Sequence, residues 1–138
     1  MQLNPYLNFN GNCDAAFKFY EKVLGGKIVL KMTYGETPDG GGEQCPPSSK
    51  DHLAHVRLEA PGLVLMGSDC PPGYFEKAQG VTLSLTVDKL AEAERLYNAL
   101  KENGVVKMAL AKTFWAAGFA MVTDQFGTPW MINCEKET

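Results

Sequence analysis

Two hydrophobic rhythms run through this chain, and each returns once. From Asn12 to Gly26 (NCDAAFKFYEKVLGG), Ala16, Phe17, Tyr20, Val23 and Leu24 recur at helical spacing, with Asp14, Lys18, Glu21 and Lys22 on the other side. Asn12 is a suitable N-cap, and Gly25-Gly26 supplies the positive φ that ends a helix. Before it, LNPYLNFNG (3–11) is rich in strand formers and closes on a turn. After it, KIVLKMTY (27–34) is again strand-like. The pattern recurs as VTLSLTVD (81–88), KLAEAERLYNALKENG (89–104) and VVKMAL (105–110), with Asp88 as the expected N-cap and Gly104 as the stop. Laying Phe19-Tyr20 on Leu96-Tyr97 also brings Ala16 onto Ala93. Leu90, Ala93, Leu96, Tyr97 and Leu100 form the second helix's expected apolar face. Two further strand-like runs follow each helix. The fold class is therefore α+β, with two βαβββ modules at about 1–70 and 78–138 making one domain over 1–138.

The connections carry turn chemistry. GETPDGGGEQCPPSSK (35–50) is a long loop between strands, of a length that is usually functional or mobile. Its Gly40-Gly41-Gly42 run lacks the Lys-Ser/Thr of a phosphate loop and opens no helix. DHLAHVRLEAPGLVLMGSD (51–69) reads as a hairpin around Pro61-Gly62, with His55, Arg57 and Glu59 on one face of its first strand. CPPGYFEKAQG (70–80) links the modules, and Gln125-Phe126-Gly127 turns between the last two strands.

Composition narrows the function classes. The net charge of −3 gives no footprint for nucleic acid or an anionic membrane. No apolar run approaches a membrane span, and the N-terminus lacks signal-peptide character, so a cytoplasmic location is expected. The four cysteines are far apart without a CxxC pair, which suits free thiols in a reducing compartment better than zinc or disulfides.

FYEKVLGGK (19–27), DQFGTPWMI (124–132) and the duplicated module order resemble the vicinal oxygen chelate superfamily of glyoxalase I, bleomycin resistance proteins and extradiol dioxygenases. YLNFNGNC (6–13), LMGSDCPPG (65–73) and KTFW (112–115) resemble its PhnB-like branch. The resemblance implies cupped mixed sheets with outer helices, a homodimer, and in metal-using members four His, Gln or Glu ligands on the first and last strands of each module. Carried over, those positions fall on Pro5, Leu65 or Met66, Thr82 and Met131. None offers nitrogen or charged oxygen to a divalent ion, so neither metal nor other cofactor is expected. A methyltransferase label borne by that branch finds no support, because the strand-to-helix turns FNGNC and TVDKL are not glycine-rich.

Three functions stay open at this point. The first is capture of an unidentified small molecule in an aromatic-lined cup. Its candidate contacts are Trp115 and Phe114 from a cup-lining strand, with Tyr6, Asn8, Asn133 and His55. The alternative is a metal-dependent lyase or dioxygenase with a displaced site near His55 and Glu59. The third is a dimeric partner-binding module with filled cups.

Overall fold

The computed structural model describes residues 1–135; the last three residues of the expected second module lie outside it. The chain divides into two compact units, Met1–Glu76 and Lys77 onward, and the division falls inside the expected linker.

In the first unit β1 (Tyr6–Phe9) leads into α1 (Cys13–Leu24), then β2 (Lys27–Thr33), β3 (Leu53–Ala60) and β4 (Leu63–Asp69). The sheet order is β1-β4-β3-β2, with β1 and β4 parallel and the other pairs antiparallel. The second unit repeats this as β5 (Leu83–Val87), α2 (Leu90–Lys101), β6 (Val105–Ala111), β7 (Ala116–Thr123) and β8 (Pro129–Glu135), in order β5-β8-β7-β6. These are the two expected βαβββ modules, in an α+β fold.

Each helix covers one face of its sheet. Ala16, Phe17 and Tyr20 of α1 are fully buried with Val56 and Leu58 of β3 and Leu65 of β4. Burying a side chain the size of Phe17 stabilises the fold by roughly 1.5–3 kcal/mol. In the second unit Ala93, Leu96 and Leu100 pack with Ala120, Val122, Trp130 and Ile132. The repeat is not perfect: Tyr20 is buried, but Tyr97 is only half-buried and carries the Lys101 ammonium 4.6 Å above its ring.

Both expected caps need correction. Asn12 stands at the N-cap of α1 but its side chain makes no capping bond. Asp69, at the end of β4, does that work: its Oδ1 accepts from Gly11 N at 2.8 Å and Cys13 N at 3.0 Å, and its Oδ2 from Leu53 N at 2.9 Å. A carboxylate with two oxygens can serve three donors, which one Asn side chain cannot. In α2 the N-cap is Lys89 rather than Asp88, again without a side-chain bond. The helix ends at Lys101 with Glu102 as its C-cap, and the left-handed residue is Asn103 (φ 57°) rather than Gly104. Gly104 is needed for closeness: a Cβ there would sit 2.4 Å from the Thr123 carbonyl oxygen.

The 35–50 loop is fastened rather than loose. Tyr34 N donates to His52 O and Gly35 N to Lys50 O, each at 2.9 Å, and Lys50 Nζ donates to the Gly40 carbonyl. The Tyr34 hydroxyl donates to the Asp69 carbonyl at 2.5 Å. Among the described residues no helix is long and apolar enough to cross a membrane.

Candidate functional site

Strand pairing decides which side chains meet on the sheet face turned away from each helix. In the first unit the register joins Tyr6 to Met66, Met66 to Arg57 and Arg57 to Leu30, one row across all four strands. Beside it run Asn8 with Ser68, and His55 with Met32. The Tyr6 hydroxyl lies 3.4 Å from His55 Nδ1, and the two rings stack with centroids 5.8 Å apart. Arg57 Nε donates to Glu59 Oε2 at 2.8 Å, and its NH1 points to Met66 Sδ at 3.8 Å. This face mixes the Arg57–Glu59 ion pair and polar groups with the apolar side chains of Met66, Leu30 and Met32.

The corresponding row in the second unit carries no charged side chain. Ser84 pairs with Met131, Met131 with Met121, and Met121 with Met108, which sets three thioethers side by side. The next row is Thr86, Asn133, Phe119 and Ala111. KTFW, expected in a cup-lining strand, instead forms the β6–β7 turn. There Ala116 N donates to Thr113 Oγ1 at 3.1 Å and Thr113 N to Ala116 O at 3.1 Å. The side-chain hydroxyl of Thr113 competes with the ladder and turns the chain. From this turn Trp115 packs edge-to-face on Phe119 (5.3 Å) and Phe114 (4.8 Å). Trp115 remains 47% exposed and Phe114 87%, so neither is core filling. Asn133 Oδ1 is buried with no hydrogen-bond partner among the described residues.

The six expected contact residues thus fall into two groups. Tyr6, Asn8 and His55 share the first unit's open face; Phe114, Trp115 and Asn133 belong to the second unit's. Sequence reasoning named Met66 and Met131 only as carried-over ligand positions; the contact of Phe119 with Trp115 and the methionine row depend on cross-strand register. The other tryptophan, Trp130, is a structural residue: it is 2% exposed and its Nε1 donates to Asp124 Oδ2 at 2.8 Å.

The positions expected to hold a metal can now be tested. Leu65 is 2% exposed under α1, so Met66, one residue on, occupies the open face. Pro5 precedes β1, and its carbonyl accepts from Met66 N at 3.1 Å; Tyr6 is the β1 residue in the row with Met66. Thr82 likewise precedes β5, and Ser84 pairs with Met131. The side chains presented are a phenol, a hydroxyl and two thioethers, which do not fit a divalent ion wanting imidazole or carboxylate. At the displaced candidate site the two side chains have partners within the chain. Glu59 is engaged by Arg57 and His55 by Tyr6, and no group of three or more His, Cys, Asp or Glu poised for a metal occurs among the described residues.

All four cysteines are free, with Cys13, Cys45 and Cys134 buried. Burial, with Asp69 and Asp14 nearby, pushes the Cys13 thiol far above its ordinary value, so it is no nucleophile.

The sequence model of the Glyoxalase/Bleomycin resistance protein/Dioxygenase superfamily matches residues 2–132. The chain belongs to that superfamily. It is 38% identical to Protein YjdN of Escherichia coli (strain K12), over 99% of this chain and 97% of that one. Protein PA1353 from Pseudomonas aeruginosa has the same fold at TM-score 0.90, with 47% identity and 99% of each chain covered. A Bacillus cereus structure titled putative 3-demethylubiquinone-9 3-methyltransferase, PhnB protein, superposes at TM-score 0.81 over 97% of this chain and 99% of that one. At 19% identity that likeness is one of fold.

Proposed function

We propose that this PhnB-like member of the superfamily binds a small organic molecule on the open face of its second unit, without the divalent metal its relatives of the metal-using kind employ. The observation that carries the reading is the exposed Trp115, held edge-to-face on Phe119 beside Met108, Met121 and Met131. An aromatic and thioether wall with a few polar atoms suits a planar apolar ligand. Asn133 Oδ1, without a hydrogen-bond partner among the described residues, adds an acceptor at the edge of that wall. The donor set at the family's ligand positions supports the metal-free part of the reading.

The protein works as a homodimer in this reading. Support comes from apolar side chains left exposed on the edge strands, Val29 and Leu30 of β2 and Val105, Val106 and Met108 of β6. The free thiols support a cytoplasmic location.

The test is a panel of small aromatic compounds followed by tryptophan emission and thermal shift, beside a scan of Ni²⁺, Zn²⁺, Mn²⁺ and Fe²⁺. A compound that quenches emission and raises the melting temperature in the wild type, but not in Trp115→Ala, supports the reading. Stoichiometric retention of a divalent metal through purification, or stabilisation by one of these ions that is lost in His55→Ala, overturns the metal-free part.

A further inference from the structure

The first unit's open face carries a charged group that the reading above does not use. Arg57 lies mid-sheet in the row Tyr6–Met66–Arg57–Leu30. Its side chain is 33% exposed, and one edge of its guanidinium is fixed by the Nε donation to Glu59 at 2.8 Å. At the end of the guanidinium, NH1 lies 3.8 Å from the Met66 sulfur, the one hydrogen-bond contact of NH1 and NH2 among the described residues. A thioether is a weak acceptor, so two strong donors in fork geometry remain unspent. Tyr6, in the same row, and His55, two residues before Arg57 on the same strand face, form a stacked, hydrogen-bonded pair. With the imidazole protonated on Nε2, the Tyr6 hydroxyl donates to Nδ1, and Nε2–H stays available to a ligand.

The geometry points to an oxyanion site on this face: the NH1/NH2 edge of Arg57 takes a carboxylate or phosphate-type group bidentately, and the Tyr6–His55 pair flanks it. Glu59 partly offsets the positive charge. It does so from the Nε side, where it orients the fork instead of filling it, and Lys27 is its register partner on β2. A planar guanidinium held at one edge loses little freedom when the other edge engages an anion. The ligand class is therefore a small molecule bearing a carboxylate or a tetrahedral oxyanion, with the rest of the molecule lying against Tyr6 and His55. This goes beyond the aromatic-wall reading, concerns the other unit, and stands or falls separately.

The chain has two histidines, so their ring C–H signals in proton NMR are separable, with His52→Gln supplying the assignment. The full-length protein is titrated with benzoate, phenylphosphonate and the uncharged benzamide. Saturable movement of the His55 signal by benzoate or phenylphosphonate, with His52 still and benzamide inert, is the expected result. Tighter binding of phenylphosphonate assigns the site to tetrahedral oxyanions, and tighter binding of benzoate to carboxylates. Arg57→Gln weakens binding about tenfold or more, since charge-assisted hydrogen bonds are lost. Arg57→Lys, which keeps the charge and loses the fork, recovers only part of it. Lys22→Gln, the same charge change on the outer helix, leaves binding unaltered. Circular dichroism confirms that each variant is folded. Equal response to benzamide, unchanged affinity in Arg57→Gln, or no response to either anion overturns the proposal. In each of those cases quenching of Trp115 by the same compounds still decides the aromatic-wall reading on its own.

Discussion

Asp69→Asn is the sharpest test of how the first unit is built. Asp69 is 1% exposed and serves three backbone donors, Gly11 N, Cys13 N and Leu53 N, at 2.8, 3.0 and 2.9 Å. Those donors lie in the β1–α1 turn and at the first residue of β3, so one carboxylate joins segments far apart in sequence. It thereby places Tyr6 and Asn8 relative to His55. Each hydrogen bond to a charged acceptor contributes about 1.5–3 kcal/mol. In the Asn variant Oδ1 still accepts from Gly11 and Cys13, more weakly, while Nδ2 replaces the oxygen that faces Leu53 N–H. A donor then opposes a donor in a buried place. The expected cost is about 2–4 kcal/mol, and for Asp69→Ala about 4–5 kcal/mol, as all three N–H groups lose their partner. Urea unfolding followed by circular dichroism measures it through the midpoint, provided the slope is unchanged. A loss below about 0.5 kcal/mol for Asp69→Asn would refute the reasoning, because surface-like substitutions already reach that value.

Other expectations follow from single features. In the native protein a thiol reagent modifies Cys70 and spares Cys13, which reacts only on unfolding; mass spectrometry of the labelled peptides reads this, and rapid native labelling of Cys13 would contradict its burial. Trp115→Phe removes the emission that acrylamide quenches and leaves the protected emission of Trp130, since one ring is 47% exposed and the other 2%. Lys18, with Lys31 beside it, holds the Asp14 carboxylate below its ordinary 3.8, and Arg95 does the same for Glu92 below 4.5. Folded values under the unfolded ones mean stability that is present above about pH 4.5 and lost as pH falls through the folded values. Both pairs are largely solvated, so Asp14→Asn lowers stability at pH 7 by no more than about 0.5 kcal/mol and flattens the acid limb of a stability–pH curve. Gly104→Ala destabilises by about 1–3 kcal/mol in a melting experiment, because its Cβ would strike the Thr123 carbonyl.

Much of this architecture is written in local periodicity. The spacing of Ala16, Phe17, Tyr20 and Val23, and of Ala93, Leu96 and Leu100, needs no tertiary information, because a helix can bury only one stripe. The alternation in β3 likewise assigns His55, Arg57 and Glu59 to one face and Val56 and Leu58 to the other, since strand side chains alternate by geometry. The duplicated order follows from those patterns, and FYEKVLGGK and DQFGTPWMI carry the resemblance to the superfamily. Of the two β4 positions offered, Leu65 or Met66, the buried one is Leu65, which leaves Met66 on the open face.

What the sequence could not decide is which residues become neighbours across strands. Register depends on turn lengths and bulges, such as the shift between Ile28 and Leu30 in β2 and the one between Met108 and Ala111 in β6. Only pairing sets Arg57 beside Met66, or aligns Met108, Met121 and Met131. Only the tertiary structure turns Lys112–Trp115 out of a strand and lays Trp115 on Phe119. The same holds for Asp69: its carboxylate replaces the expected local cap of Asn12 because the end of β4 arrives at the start of α1, and nothing local to Asn12 announces that. Periodicity is a property of neighbours along the chain, whereas a binding face is a property of neighbours in space. Two units of one pattern have thus acquired one sheet face bearing an ion pair and one bearing three methionines in a row.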